Sequence, residues 1–199
     1  MIIKALPVGI YSANCYIVMD EKTKEAVILD PGGNADVISR EVKTLGCKVS
    51  KILLTHAHVD HVGAVEELHQ LYSATVLMHE EEERFMALDN YVYGKLPKIY
   101  GFINDGDEIE FAGGKIQCIY TPGHTKGGMC FLIEDALFTG DTLFKESIGR
   151  TDFLGGDYAE IIKSINDKIL VLPSSTVVYP GHGPSSTVIY ERSRNPFLA

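Results

Sequence analysis

Four apolar, strand-like runs in this chain each end in a short turn that carries a metal-competent side chain. "KILL" runs into "THAHVDH" with His56, His58, Asp60 and His61, and "CIY" runs into "TPGHT" with His124. "ALF" runs into "TGDT" with Asp141, and "VVY" runs into "PGHG" with His182. In folds that mix strands and helices, ligand sites gather in the loops beyond the strand ends. A cluster in which those four ends converge is the economical explanation. Five of its seven histidines take part; His69 and His79 have no such company and read as surface or helix-end residues.

The rest of the pattern supplies the frame. "IIKALPVG", "NCYIVMD" and "EAVILD" read as a meander of strands. "ADVISREVKTLG" reads as a helix capped by Asn34 or Asp36 and stopped at Gly46. "GAVEELHQLYS" reads as a helix with Val65, Leu68 and Leu71 on one face, and "EEEERFMAL" as a helix with its acids in the first turn. Residues 89 to 106 read as a loop. Strands return at "EIEFAG", "KIQCIYTP", "MCFLIE" and "ALFTG". A helix over "GDYAEIIKSINDKILVL", a strand "TVVYP" and a terminal helix "STVIYERSRN" complete the chain. Each half therefore opens with strands and then mixes strands with helices. The expected architecture is α/β: two mixed sheets packed face to face with helices outside, an αββα sandwich. The 199 residues fit one domain, 1–199.

A net charge of −9 disfavours a phosphate backbone as partner, and no apolar run approaches the length of a membrane span. The expectation is a protein without nucleic acid or membrane partners, a monomer or small homo-oligomer. The amino terminus reads as an alternating strand and not as a secretion signal. Cys15, Cys47, Cys118 and Cys130 show no CxxC pairing and have apolar flanks, which fits buried free thiols in a cytoplasmic protein.

Spacing within the first motif makes chemical sense. His56 and His58 are two apart, so in an extended segment they point the same way and can grip one ion. Asp60 and His61 are adjacent, so a turn there directs them to a second. Five histidines and two aspartates exceed what one tetrahedral zinc takes in a catalytic site. They suit two ions sharing a carboxylate, for which Asp141 is the natural candidate. Asp30, in "LDPGGN", either orients a ligating histidine through its second N–H or simply starts a turn. The same stretch is a weak match to a phosphate loop, because no Lys follows in the required place.

These motifs, HxHxDH, "PGHT", "TGDTLF" and "PGHG", resemble those of the metallo-β-lactamase superfamily, over nearly the whole chain. Asp141 argues against β-lactamases with a Cys at one zinc, and His58 against the flavodiiron reductases, which have Glu there. "GDTLFKESIGRTDFLGGD" and "YERSRNPFL" look most like a short bacterial type of the glyoxalase II-like hydrolases. The resemblance implies one metal held by His56, His58 and His124 and another by Asp60, His61 and His182. Asp141 would bridge them and Asp30 would lie behind the ligands. Full glyoxalase II enzymes carry a helical carboxy-terminal domain that helps hold glutathione. Only residues 183–199 follow His182 here, so those contacts are not carried over.

The expected activity is hydrolysis of a small acyl thioester, of the S-lactoylglutathione kind. A hydroxide bridging two divalent ions, zinc or else iron or manganese, would attack the carbonyl, with Asp60 and Asp141 as the catalytic carboxylates. By formal count two dications, two aspartates and a hydroxide leave about +1 at the site, which favours a substrate with a negative group. Arg150 and Lys145 are candidate anchors for a substrate carboxylate, or solvated surface charges. The 89–105 loop is a candidate aromatic lid, or a packed loop. Alternatives on the same motifs are a lactonase or esterase, a mononuclear iron enzyme resembling persulfide dioxygenases, and a metal-binding or regulatory module without catalysis.

Overall fold

Strand β2 (Ala13–Met19) is buried along its whole length, and the alternation of its side chains gives the layering. Tyr16 and Val18 face one apolar cluster, while Cys15, Ile17 and Met19 face another. A strand covered on both faces needs a layer on each side. In this computed structural model, which describes residues 1–89 and 91–198, those layers are a second sheet and a set of helices. Asn90 and Ala199 lie outside the described residues.

The first sheet runs β1 (Ile2–Val8), β2, β3 (Glu25–Leu29), β4 (Lys48–Leu53), β5 (Thr75–Met78), β6 (Tyr100–Phe102) in spatial order. Its first three strands are an antiparallel meander; β3 to β6 are parallel, with Leu29 opposite Leu53. The second sheet comprises β7 (Glu108–Phe111), β8 (Gly114–Tyr120), β9 (Met129–Ile133), β10 (Ala136–Gly140), β13 (Val177–Pro180) and β14 (Ser186–Thr187). Its order is β14-β13-β10-β9-β8-β7, and β10 and β13 are parallel. A small hairpin pairs β11 (Leu143–Phe144) with β12 (Ser147–Ile148).

Val27, Leu29 and Leu53 of the first sheet meet Ile116, Phe131 and Phe138 of the second in the central core. Each such side chain, fully buried, contributes roughly 1.5–3 kcal/mol. Outside the first sheet lie α1 (Ala35–Leu45) and α3 (Val65–Tyr72), which bury Ile38, Val42, Val65 and Leu68. Outside the second lie α5 (Tyr158–Ser164) and α6 (Val188–Arg194), which bury Ile161 and Val188. The αββα sandwich is therefore as the sequence implies.

Local readings differ in six places, one of them that Ser186–Thr187, read as the start of the terminal helix, pairs with β13 as β14. Asn34 precedes α1 in the left-handed region (φ 52) and makes no side-chain cap; its Oδ1 accepts instead from the Gly9 N–H, 2.8 Å away. Leu71 does not share the buried face of Val65 and Leu68 but is exposed, because the helix turns it outward. Within 89–106, Tyr100–Phe102 pairs with β5 as an edge strand too short to register as a period. The helix expected over 156–172 begins at Tyr158 and changes to a π turn at Ile165–Ile169, which keeps both isoleucines buried. Cys15, Cys118 and Cys130 are buried free thiols, but Cys47 is only half-buried.

Candidate metal centre

β4 hands the chain to His56 and His58, and a single turn, α2 (Val59–Val62), then presents Asp60 and His61. His124 stands in the β8–β9 connection, Asp141 directly follows β10, and His182 follows β13. The bulge between Phe138 and Gly140 brings Gly140 opposite Pro180, so the Asp141 and His182 turns lie side by side. The first sheet reaches across to hold the second turn: Asn14 Nδ2 donates to the carbonyls of Pro180 (3.0 Å) and Gly183 (2.9 Å), and the Tyr16 hydroxyl donates to Pro180 (2.6 Å).

Two glycines are required by close approach. A Cβ on Gly181 would stand 2.2 Å from Asp141 Oδ1. A Cβ on Gly32 would stand 1.6 Å from the Asp60 carbonyl oxygen. "LDPGGN" thus packs backbone against the motif turn and is no phosphate loop.

All seven side chains converge. His56, His58 and His124 offer ligand atoms that all lie within 4.8 Å of one another, and so do Asp60, His61 and His182. His58 Nδ1 faces His124 Nε2 at 3.0 Å, and His182 Nε2 faces Asp60 Oδ2 at 3.2 Å. Asp141 lies between the two groups, with Oδ1 3.4 Å from His61 Nε2 and Oδ2 3.6 Å from His124 Nε2. His56 Nε2, His61 Nε2 and Asp141 Oδ1 are buried without a hydrogen-bond partner. Buried polar atoms are seldom left so. Nitrogen and carboxylate donors, buried, unpartnered and mutually close, fit two divalent ions.

The far sides of the rings are held. Asp30 Oδ2 lies 3.1 Å from His61 Nδ1 and accepts from the Thr55 hydroxyl at 2.6 Å, and that hydroxyl stands 3.1 Å from His56 Nδ1. His124 Nδ1 donates to the Arg150 carbonyl at 2.8 Å. A carboxylate or carbonyl behind the ring places the proton on Nδ1 and leaves Nε2 free to bind. Asp30 also groups with His56 and His61 as a possible ligand set. Its oxygens already serve His61, the Thr55 hydroxyl and the Thr55 N–H (2.8 Å), so the backing role fits better.

Burial and neighbouring histidines push His56 well below the ordinary imidazole range and His58 down to about 3. Burial also lowers His124. Burial opposes the charge on His61, but Asp141 and Asp30 hold it well above the ordinary value, and the hydrogen bond to Asp60 raises His182. Burial likewise works against ionised Asp141, yet the histidines, His61 foremost, hold its carboxyl well below the carboxylate range. Burial thus disfavours charge on the His56, His58 and His124 rings, while neighbouring carboxylates favour it on His61 and His182.

The cluster floors a cavity of about 540 Å³. Tyr11, Val59, Tyr91, Val92 and Phe153 give it an apolar, largely aromatic wall. Arg150 is the one cation among the described lining residues, and it is engaged. Its guanidinium makes two 2.7 Å bonds to Asp152 and lies 3.7 Å from the Phe153 ring centre. Lys145 is absent from the lining and stands 5.2 Å over the Tyr190 ring. The 89–105 loop combines both readings: Tyr91 lines the cavity, while Tyr93 is wholly buried and its hydroxyl donates to the Leu154 carbonyl. His79 caps α4 (Glu80–Leu88), accepting from the Glu81 N–H, and His69 Nδ1 donates to the Ala74 carbonyl. The sequence carries no signal that assigns Thr55 or Tyr11 to the site. Only Phe153, just after Arg150, carried a positional signal.

The family described as the Metallo-beta-lactamase superfamily matches residues 8–191. Hydroxyacylglutathione hydrolase GloC of Haemophilus influenzae is 36% identical, over 100% of this chain and 98% of its own length. Among solved structures, BLEG-1, titled a B3 metallo-beta-lactamase, superposes with a TM-score of 0.91 at 35% identity, over 99% of each chain. TTHA1623, solved in a di-iron-bound form, superposes with a TM-score of 0.86 at 31% identity, over 98% of this chain and 100% of its own. Among the described residues no helix is long and apolar enough to cross a membrane.

Proposed function

Because the chain belongs to the metallo-β-lactamase superfamily, we propose that it is a binuclear metal-dependent hydrolase of small acyl thioesters, of the hydroxyacylglutathione kind. The observation that carries this reading is Asp141, whose two oxygens face the two ligand groups at the floor of an open cavity. His56, His58 and His124 would hold one ion and Asp60, His61 and His182 the other, with Asp141 shared. Zinc, iron and manganese all suit such donors.

When bound, two such ions supply Lewis acidity: they lower the pKa of water from about 15.7 towards about 7 and polarise a carbonyl oxygen. The protein's own part is to fix and orient. Asp30 and Thr55 keep the His56 and His61 rings turned towards the centre, and the Arg150 carbonyl does the same for His124. Tyr11, Tyr91 and Phe153 line the cavity and would flank a bound acyl thioester, keeping water from one side of it. Asp60 and Asp141 would supply negative charge that offsets about half that of two dications, leaving the site net positive.

A β-lactam ring opening is the second reading, favoured by the likeness to BLEG-1. The test is to assay one zinc-loaded preparation with S-lactoylglutathione, a simple lactone and a cephalosporin. The thioester is expected to turn over fastest, and activity should vanish with chelator and return with zinc. Turnover of the cephalosporin alone would replace the proposal.

A further inference from the structure

Glu82 lies on α4, is completely buried and does not line the cavity. Its two carboxyl oxygens divide between two loops. Oε2 accepts from the Ala57 N–H at 2.7 Å, and Oε1 accepts from the Gly127 N–H at 2.9 Å. Ala57 sits between His56 and His58, and Gly127 sits three residues after His124. A Cβ on Gly127 would stand 2.6 Å from Glu82 Oε1 and 2.8 Å from its Cγ, so the loop approaches the carboxylate as closely as a glycine allows.

We propose that Glu82 is a positioning residue that clamps the His56–His58 turn to the His124 turn, setting the geometry of that ligand group and leaving the Asp60–His61–His182 group to other supports. The division is visible in the partners. His61 is held by Asp30, and the His182 turn is held by Asn14 and Tyr16 from β2. Neither bond of Glu82 reaches those segments. A carboxylate is suited to the task because it accepts two N–H groups at once, from segments that share no strand and meet beside it through the Met129 N–H bond to the Thr55 carbonyl (2.8 Å). An apolar side chain there would leave both buried N–H groups without partners, a recognised cost. The sequence hides this role: in "HEEEERF" the acid is one of four and reads as helix-start charge.

The inference rests on the proposed metal-site assignment, and two readouts keep the two separable. The first is amide hydrogen exchange on metal-free protein, comparing wild type with Glu82→Gln and Glu82→Ala. The Gln side chain keeps the volume and one acceptor but turns an NH2 group towards the other N–H. Faster exchange is expected at Ala57 or Gly127, while the Thr55 N–H, held by Asp30, stays as protected as in wild type. The second is zinc titration against a chromogenic chelator. Wild type should show two sites; the variants should show one site weakened at least about tenfold and the other changed less than about threefold. Performed on a His182→Ala background, the titration should show Glu82→Gln weakening the remaining site. Equal weakening of both sites, or unchanged exchange at both amides in a folded variant, would overturn the clamp. A wild-type protein that binds no zinc would overturn the metal assignment itself, and with it the clamp's purpose.

Discussion

Asp30 Oδ2 stands 3.1 Å from His61 Nδ1, and through the Thr55 hydroxyl the same carboxylate reaches His56. One buried acid therefore backs a ring in each of the two ligand groups. Asp30→Asn would keep one acceptor but set an NH2 group against an N–H. Metal affinity is expected to fall by roughly 10- to 100-fold, the usual effect of losing such a partner. Competition titration reads it, and an affinity equal to wild type would remove Asp30 from the account.

His58→Ala should weaken only the group that contains His124, because His58 Nδ1 faces His124 Nε2 and not the Asp60 side. Asp141→Ala should weaken both groups, since its oxygens face His61 and His124 separately. His69→Ala should leave metal binding and turnover unchanged, as that ring serves only the Ala74 carbonyl. Metal stoichiometry by elemental analysis distinguishes the three. Equal losses in His58→Ala and Asp141→Ala would contradict the shared role of Asp141.

Asp152 neutralises Arg150, the one Arg or Lys among the described residues that line the cavity. Its carboxyl is held down to about 2 by the Arg150 guanidinium, so the pair stays ionised through the working range. Asp152→Asn should release Arg150 to meet a substrate carboxylate. KM for S-lactoylglutathione is expected to fall severalfold with kcat little changed, and the gain should shrink with added salt. An unchanged KM would return Arg150 to the role of a surface charge stacked on Phe153.

The rings of the metal-free protein should titrate far apart. Folded His58 lies at about 3, against an ordinary 6.5. The unfolded chain takes up that proton first as pH falls, so the stability His58 contributes is whole above about 6.5 and declines from there towards about 3. His182 is raised, so its contribution is present below about 6.5 and is lost as pH rises through its folded value. Ring resonances followed by NMR from pH 8 to pH 5 should show His182 titrating and His58 static. A His58 transition near 6.5 would contradict the burial that depresses it.

Much of this centre was legible because its residues sit at strand ends, where an apolar run and a Gly turn fix both place and direction. The seven ligand candidates follow from that pattern, and the αββα layering from the way each half opens with strands and then mixes strands with helices. Asp30 was legible only as one of two readings, because spacing cannot tell a turn-starting acid from one behind a histidine. Glu82 and Thr55 were not legible. Glu82's partners are backbone N–H groups 25 and 45 residues away, and Thr55's hydroxyl meets the Asp30 carboxylate 25 residues away and the ring of its neighbour His56, in a geometry set by the fold. β6 escaped because three residues carry no period, and the engagement of Arg150 by Asp152 escaped because adjacent charges in a loop have no fixed geometry in sequence.

The central claim is that seven side chains from four strand ends form one centre for two ions. Metal content per chain, measured by elemental analysis on protein purified without chelators and then saturated with zinc, tests it directly. About two ions per chain in wild type, with both affinities reduced in Asp141→Ala, is the predicted result. One ion per chain in wild type, unaffected by Asp60→Ala or His182→Ala, would contradict it.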